Sequence, residues 1–214
     1  MKDFTPVAMV IDFGPQLLSV NADLPVKTTA ELIAYAKANP GKLSYAVDVT
    51  AGAAPFAARL LNKRGNLGMV EVPYRSAAQM AQDVASGTIP VLISSMAASN
   101  GMVQAGKIRR IALSSTNRFP PLPDLPTIGE TVPGVTMDGW FVVVAPAGVP
   151  ASIVTRMNKE IGEFLKGDDI RKRLADFGLA ATSGAGTPES TAAYIVSEQA
   201  RWRALAQELD IQPQ

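Results

Sequence analysis

Between residues 16 and 115, short apolar runs of strand length alternate with segments of helical character. The apolar runs lie at 16–21, 42–47, 69–74, 88–95 and 108–115. Helices are expected after the N-cap residue Thr28, then at 55–64, 76–87 and about 97–105. Such an alternation favours parallel strands connected by covering helices. The sequence therefore predicts an α/β fold with a parallel, helix-covered sheet.

The character of the chain changes after residue 116. Five of the 16 prolines lie within 117–134, and we expect this segment to be a stiff, extended crossing rather than a core element. Strands are predicted at 6–11 and 140–146, and helices at 151–166, 168–176 and 188–209. Two strands are a poor platform for three helices, so this second region is predicted to be incomplete.

The chain contains neither histidine nor cysteine. This absence excludes Ser-His-Asp and Cys-His catalysis, ordinary zinc sites, and haem or iron–sulfur ligation by these residues. A formal net charge of +1 argues against nucleic acid as a partner. No apolar run reaches the roughly 18 residues of a membrane helix. The N-terminal residues also lack the pattern of a signal peptide.

Five successive segments carry a resemblance to a known family. They read KDFTPVAMV, LPVKTTAELIAYAKANPGKLSYA, VPYRSAAQMAQDVASG, AGKIRRIALSSTNRFPPLPDLPTIGE and APAGVPASIVTRMNKEI. In this order and spacing they resemble the Bug/TctC family, the solute-binding proteins of tripartite tricarboxylate transporters. The resemblance extends from Lys2 to about Pro213, which is nearly the whole chain.

The resemblance implies a type II periplasmic binding protein whose two lobes close on a small carboxylate: a dicarboxylate, a tricarboxylate or an amino acid. It also implies a periplasmic location and membrane transporter subunits as partners. It implies no cofactor, no metal and no catalytic residue, so the chain is expected not to be an enzyme. On this interpretation residues 13–135 form one complete α/β lobe, lobe two of the family. Residues 1–12 and 136–214 form an incomplete lobe one with the C-terminal helices.

Two features depart from the family pattern. The sequence lacks the part that precedes KDFTPVA in relatives, where the signal peptide and the first elements of lobe one lie. We expect this difference to account both for the incomplete second region and for the missing signal peptide. In addition, the loop after LSYA carries residues 47–54 in place of the usual run of Gly and Ser, which removes most hydroxyls and adds Asp48.

The stretch YAVDVTAGAAPFAARLL, residues 45–61, predicts a strand, a loop of small residues and a helix opened by Pro55. Backbone N–H groups at the start of such a helix bind carboxylates, and open α/β sheets place ligands at strand ends. Together with the resemblance, this pattern predicts the following ligand-binding residues: Asp48, Thr50, Ala51, Gly52, Ala53, Ser76, Ser94 and Ser95. The alternative interpretation is a tight strand-to-helix turn without a ligand, with Ser76 as a helix cap.

Asp48 argues against a purely anionic ligand unless its carboxylate points away or pairs with a cation. A ligand with an ammonium or amide group would reconcile a carboxylate-binding loop with the presence of Asp48. Micromolar binding needs about 8 kcal/mol, whereas one helix N-terminus contributes about 0.3–2 kcal/mol to an anion. We therefore expect weak binding unless another chain completes the cleft. Open strand edges and exposed apolar helix faces further predict a homodimer or a strand-exchanged oligomer.

Two other functions stay open at this stage. The first is a vestigial or structural module that binds no ligand and self-associates. The second is an enzyme that uses a Ser–Lys pair, Ser94 or Ser95 with Lys107.

The remaining conspicuous residues are interpreted as structural. Trp140 and Trp202 are predicted to lie in core positions, Trp202 on a helical apolar stripe. Arg109-Arg110 and Arg171-Lys172-Arg173 are predicted to be solvated surface. The sequence GAGTPE at 184–189 is predicted to be a linker followed by a helix cap.

Overall fold

The structure is a computed structural model that describes residues 2–48 and 52–211. The chain divides into two compact units. Residues Pro15–Asp138 form what we call the continuous unit, and Met1–Gly14 together with Gly139–Gln214 form the split unit.

The order of elements alternates between strands and helices up to β6. The strands are β1 (Phe4–Pro15), β2 (Leu17–Asn21), β3 (Ser44–Asp48), β4 (Val70–Tyr74), β5 (Val91–Ser94), β6 (Ile108–Leu113) and β7 (Asp138–Pro146). The α-helices are α1 (Thr29–Ala38), α2 (Ala53–Arg64), α3 (Ala77–Ala85), α4 (Met96–Gln104), α5 (Ala151–Leu165), α6 (Asp168–Asp176) and α7 (Pro188–Glu208). A short 3-10 helix covers Ile128–Glu130. Each predicted strand and helix is present, with bounds that differ by a few residues.

The continuous unit contains a five-stranded sheet in the spatial order β4-β3-β5-β2-β6. Strand β3 runs parallel to β4 and β5, but β2 runs antiparallel to both of its neighbours, β5 and β6. The expectation of a parallel sheet is therefore wrong for β2. The physical reason lies in its point of entry: Leu17, at the start of β2, pairs with Ser94, at the end of β5. The chain thus enters the sheet at the edge where the parallel strands end.

Strand β2 is an interior strand of this sheet, between β5 and β6. All five of its residues are buried, including the polar Ser19 and Asn21. The side-chain amide of Asn21 donates to the carbonyl oxygen of Val84 at 2.8 Å, which links β2 to the end of α3. Because this strand is buried, apolar residues occur on both of its faces.

The proline-rich segment 117–134 is not merely a crossing. Phe119 is 1% exposed and Ile128 is fully buried, so the segment contributes to the core of the continuous unit. The backbone N–H of Leu113 donates to the carbonyl oxygen of Pro126 at 2.8 Å, which fastens the segment beside β6. The expectation of an extended crossing outside the core is wrong, because prolines prevent regular strand pairing but not the burial of the side chains between them.

The prediction of a solvated surface is also wrong for Arg109. Its guanidinium is partly buried and donates to the carbonyl oxygens of Ala22 at 2.9 Å and Val26 at 3.0 Å. It thereby holds the loop that follows β2. Arg110 is partly buried as well, whereas the residues from Arg171 to Arg173 are exposed as predicted.

The split unit has a two-stranded sheet, β1 with β7, and the helices α5, α6 and α7. A Cβ atom on Gly14 would lie 2.9 Å from the carbonyl oxygen of Gly139, so the two strands approach too closely there for any side chain. The split unit has a buried apolar core. One buried cluster consists of Val7, Ala8, Ala145, Val154, Leu165 and Ala185, with partly buried residues around them.

Helix α7 begins at the signal that the sequence carries. Thr187 caps α7: its hydroxyl accepts from the N–H of Ser190 at 3.1 Å, and Pro188 is the first helical residue. This confirms the cap predicted from GAGTPE.

Trp140 is half-buried and contacts Tyr194 of α7 edge-on, with ring centroids 5.9 Å apart. None of the described helices combines the length and apolar character that a membrane-spanning segment requires.

Candidate ligand site at the carboxyl edge of the sheet

A cavity of about 200 Å³ lies within the continuous unit, where strands β3 and β5 end. Five of the predicted ligand residues line it, namely Asp48, Gly52, Ala53, Ser94 and Ser95. The predicted residues Thr50 and Ala51 lie outside the described residues. Ser76 is exposed, and its hydroxyl accepts from the N–H of Gln79 at 3.4 Å, so it serves as the cap of α3.

Three helices begin at this cavity. Ala53 of α2, Ala77 of α3 and Ala98 of α4 belong to its lining, and each lies in the first turn of its helix. No acidic residue occupies the first turn of α2, α3 or α4. Elsewhere in the chain α1, α6 and α7 do carry acidic residues there. The positive ends of three helix dipoles therefore meet at the cavity without a first-turn carboxylate to offset them.

The helices α2 and α4 also lack a capping side chain. Their N-cap residues, Gly52 and Ser95, accept no side-chain hydrogen bond from the first turn. A Cβ atom on Gly52 would meet no atom within 4 Å, so the space in front of this helix end is open. Uncapped N–H groups facing an open cavity are a favourable place for an anion, because a carboxylate oxygen supplies the missing acceptor.

The serines of the site differ in their exposure. Ser94 is buried, and its hydroxyl donates to the carbonyl oxygen of Ser95 at 3.2 Å, while Ser95 is exposed. The Ser94 hydroxyl uses its proton in this bond, so its oxygen lone pairs can still accept a hydrogen bond from an N–H or O–H donor.

Asp48 is the ionisable residue among those that line the cavity. It ends β3, is half-buried and is aligned with Tyr74 of β4. Its carboxylate raises the free energy of a second carboxylate nearby and lowers that of an ammonium group. The cavity thus combines three positive helix ends with one negative side chain.

Several residues that line the cavity were not predicted from the sequence, namely Gln16, Ala54, Pro55, Ala77, Met80, Ile93 and Ala98. Two hydrogen bonds hold Gln16 to Ser114: its N–H donates to the side-chain Oγ of Ser114 at 2.9 Å, and the Ser114 N–H donates to its carbonyl oxygen at 2.8 Å. Its position just before β2 was the available signal. The sequence does not reveal in which direction β2 runs, so this position alone did not place Gln16 at the cavity.

The Ser–Lys hypothesis does not agree with the topology. Ser94 pairs with Leu17 at the start of β2, whereas Lys107 precedes β6, whose first residue pairs with Asn21 at the end of β2. The serine and the lysine therefore lie at opposite edges of the sheet. Within residues 2–48 and 52–211, no group of three or more Asp and Glu side chains is placed to hold a metal ion.

Comparison with known proteins decides the family. The family described as the tripartite tricarboxylate transporter family receptor, TctC, matches residues 1–211. The chain belongs to the TctC family. This confirms the resemblance found in the sequence, and the family is one of transporter receptors rather than enzymes.

Curated relatives of this TctC chain are longer. A UPF0065 protein from the tcbD–tcbE intergenic region of Pseudomonas sp. (strain P51) is 34% identical over 206 residues, which are 95% of this chain and 60% of the relative. The protein BugT of Bordetella pertussis is 29% identical over 209 residues, 97% of this chain and 63% of BugT. The chain thus spans about 60% of the length of these relatives.

Solved structures show the same architecture. Rpa4515 of R. palustris, solved with adipate, superimposes with a TM-score of 0.88 at 36% identity over 100% of this chain and 71% of that protein. MatC of Rhodopseudomonas palustris, solved with malate, gives 0.78 at 25% identity, covering 94% of this chain and 69% of MatC. The periplasmic binding protein BugD gives 0.84 over 99% of this chain and 71% of BugD. These similarities confirm the predicted periplasmic-binding-protein fold, matched over part of each neighbour.

Proposed function

We propose that this TctC-family chain is the ligand-binding part of a periplasmic receptor for small carboxylates, which delivers its ligand to a tripartite tricarboxylate transporter. Family membership supports the receptor role. The relatives solved with adipate and with malate support carboxylates as the ligand class. The transporter's membrane subunits are then the partners of the whole receptor.

A single structural observation carries the proposal: α2, α3 and α4 direct their N-termini at one cavity, and two of these ends have no capping side chain. An isolated helix end attracts an anion by about 0.3–2 kcal/mol. Three ends that converge attract it more strongly, and they lie at the carboxyl edge of an α/β sheet, where such folds bind ligands. In this proposal the carboxylate accepts from the N–H groups of Ala53 and Ala54 and from the region of Ser94 and Ser95.

The size of the cavity limits what it holds. Its volume of about 200 Å³ is smaller than the roughly 300–1,000 Å³ of a typical ligand pocket. We therefore assign to it one end of the ligand, a carboxylate with the atoms next to it. Because micromolar affinity needs about 8 kcal/mol, contacts outside this cavity must supply most of the binding free energy.

Asp48 narrows the ligand class further in this proposal. If the bound end of the ligand carries an ammonium or amide group as well as a carboxylate, that group places a positive charge or a hydrogen-bond donor beside the Asp48 carboxylate. An amino acid or an amide-bearing acid satisfies this condition better than a plain dicarboxylate. The remaining candidates, dicarboxylates and tricarboxylates, require the Asp48 carboxylate to point away from the ligand.

The test places a carboxylate at the helix end itself. In Ala53→Asp the new side chain occupies the anion position at α2, where the helix dipole favours it, so the fold is retained while ligand carboxylates are repelled. Ala151→Asp is the matched control, because it adds the same charge to the first turn of α5 in the split unit. The full chain is titrated with adipate, malate and glutamate. Binding is followed by the backbone amide NMR signals, because weak binding is expected and NMR detects it.

The proposal predicts ligand-dependent shifts of the Ala53, Ala54 and Ser95 amides in the parent chain and in Ala151→Asp, and their loss in Ala53→Asp. Shifts that persist in Ala53→Asp would contradict it. The second candidate function, a self-associating module without a ligand, is favoured by the exposed apolar side chains of β7 and α5, such as Phe141 and Ile153. It predicts no amide shift with any of these acids and a change in oligomeric state with protein concentration.

A further inference from the structure

A second cavity of the continuous unit lies apart from the ligand site. It has a volume of about 320 Å³ and is lined by Arg110 of β6 and by the residues 121–125 of the proline-rich segment. None of these residues lines the cavity at Asp48. We call it the Arg110 pocket. Apart from Arg110 and Asp124 its walls are prolines and leucines, so it combines one guanidinium and one carboxylate with an apolar surface.

The guanidinium of Arg110 is incompletely satisfied. Its Nη2 donates to Oδ1 of Asn100 at 2.9 Å, but its Nε is buried and finds no acceptor among the described residues. No carboxylate in the described part of the chain forms a salt bridge with it. Burial without a compensating charge lowers the pKa of Arg110. A desolvated cation of this kind raises the free energy of the fold unless an anion accompanies it.

Other arginines of the same unit are compensated. Arg59 makes two hydrogen bonds to the carboxylate of Glu71, at 2.8 and 2.7 Å, and Arg118 makes two to Glu130, at 2.9 and 2.6 Å. Asp124, the acid in the wall of the Arg110 pocket, contributes to raising the pKa of Arg118, after the larger effect of Glu130. Arg110 therefore differs from Arg59 and Arg118, because no carboxylate of the described residues accepts a hydrogen bond from its guanidinium.

We propose that the Arg110 pocket binds a small carboxylic acid with an apolar body, whose carboxylate pairs with the Arg110 guanidinium and whose hydrocarbon part packs on Pro121, Leu122 and Leu125. The volume of about 320 Å³ lies within the range of small-molecule pockets. A planar guanidinium is the side chain best matched to a carboxylate, since it offers parallel N–H groups. The apolar wall selects acids with a hydrocarbon body over polar ones.

The test uses isovalerate as the probe and isovaleramide as its neutral isostere. The full chain is titrated with each while the methyl signals of Leu122 and Leu125 and those of Ile93 and Met80 are followed by NMR. The proposal predicts saturable shifts at Leu122 and Leu125 with the acid and none with the amide. Shifts confined to Ile93 and Met80 would place the acid only in the cavity at Asp48 and would overturn the proposal, as would equal shifts with the amide.

Two variants test the guanidinium. Arg110→Met is expected to abolish the acid-dependent shifts, and Arg110→Lys, which keeps the charge but loses the planar fork, to weaken binding about tenfold. Because Arg110→Met removes an uncompensated cation, its melting temperature without ligand is expected to equal or exceed that of the parent chain. Acid-dependent shifts that persist in Arg110→Met, or a melting temperature several degrees lower, would show that Arg110 serves the fold instead and would overturn the proposal.

Discussion

The indole N–H of Trp140 donates a hydrogen bond to Oε2 of Glu198, 58 residues later in the chain, at 3.2 Å. The indole of Trp202 donates to the same oxygen at 3.1 Å, and Arg201 donates to Oε1 at 3.2 Å. Glu198 is only 7% exposed. One buried carboxylate therefore joins strand β7 to helix α7.

The first prediction concerns this carboxylate. Glu198→Ala leaves two indole N–H groups without their acceptor, so the free energy of unfolding should fall by about 2–4 kcal/mol. Glu198→Gln retains an acceptor oxygen and should lose less than half of that. Urea unfolding followed by tryptophan fluorescence measures the change directly, because Trp140 and Trp202 are the chain's two tryptophans. Glu163→Ala on α5, where the ion pair with Lys166 is exposed, is the control and should unfold like the parent chain.

The second prediction concerns the pH dependence of stability. The hydrogen bonds from Arg59 are the main cause that lowers the pKa of Glu71, and Tyr45 adds a bond of 2.8 Å. A carboxylate whose pKa is lowered in the folded state stabilises the fold above its unfolded pKa, and this stabilisation disappears as the pH falls through the lower, folded value. Glu71→Gln should therefore be less stable than the parent chain at neutral pH.

The expected loss in Glu71→Gln at neutral pH is about 1–2 kcal/mol, reduced by partial solvent screening. The difference from the parent chain should stay constant down to about pH 5 and shrink below about pH 4. Urea unfolding at a series of pH values measures it. A difference that grows towards acidic pH would contradict the assignment.

The third prediction concerns ligand selectivity at Asp48. In Asp48→Asn a ligand with an ammonium group loses an attraction of about 1 kcal/mol, roughly fivefold in affinity, while a plain dicarboxylate loses a repulsion of similar size. Glutamate should therefore bind more weakly to the variant, and adipate more tightly. NMR titration with both ligands measures the two changes. Asp169→Asn on α6 serves as the charge-matched control, and an unchanged affinity for glutamate in Asp48→Asn would rule out the proposed pairing.

The fourth prediction concerns self-association. The split unit exposes large apolar side chains, among them Phe141 (58%) on β7 and Ile153 (48%) on α5. Exposed apolar surface of this kind is typical of an interface, so the chain should dimerise as its concentration rises. Sedimentation velocity over a concentration series detects this, and the double variant Phe141→Ser, Ile153→Ser should remain monomeric. A parent chain that sediments as a monomer throughout the series would contradict the prediction.

Much of the local structure followed from sequence signals that act over short distances. Thr28 accepts from the N–H of Glu31 at 3.1 Å and begins α1 as predicted, and Thr187 does the same for α7. The strand that ends at Asp48 and the helix that follows Gly52 were also predicted. Caps and periodic apolar residues are local in origin, which is why the sequence reveals them.

Predictions that depended on distant contacts were less successful. Phe119 is buried although prolines surround it, and Arg109 bonds to carbonyl oxygens more than 80 residues earlier in the chain. Gln16 reaches the cavity because β2 runs against its neighbours. Nothing near these residues in the sequence distinguishes such arrangements from a solvated surface or a simple linker.

The sequence by itself determined which segments form strands and helices, the family, and the small residues that open α2. Only the tertiary structure decided the direction of β2, the convergence of three helix ends on one cavity, and the half-buried state of Arg110 without a counter-charge. The physical reason is the range of the interactions. Backbone propensity and capping act within a few residues, whereas burial and electrostatic pairing depend on side chains that only the folded chain brings together.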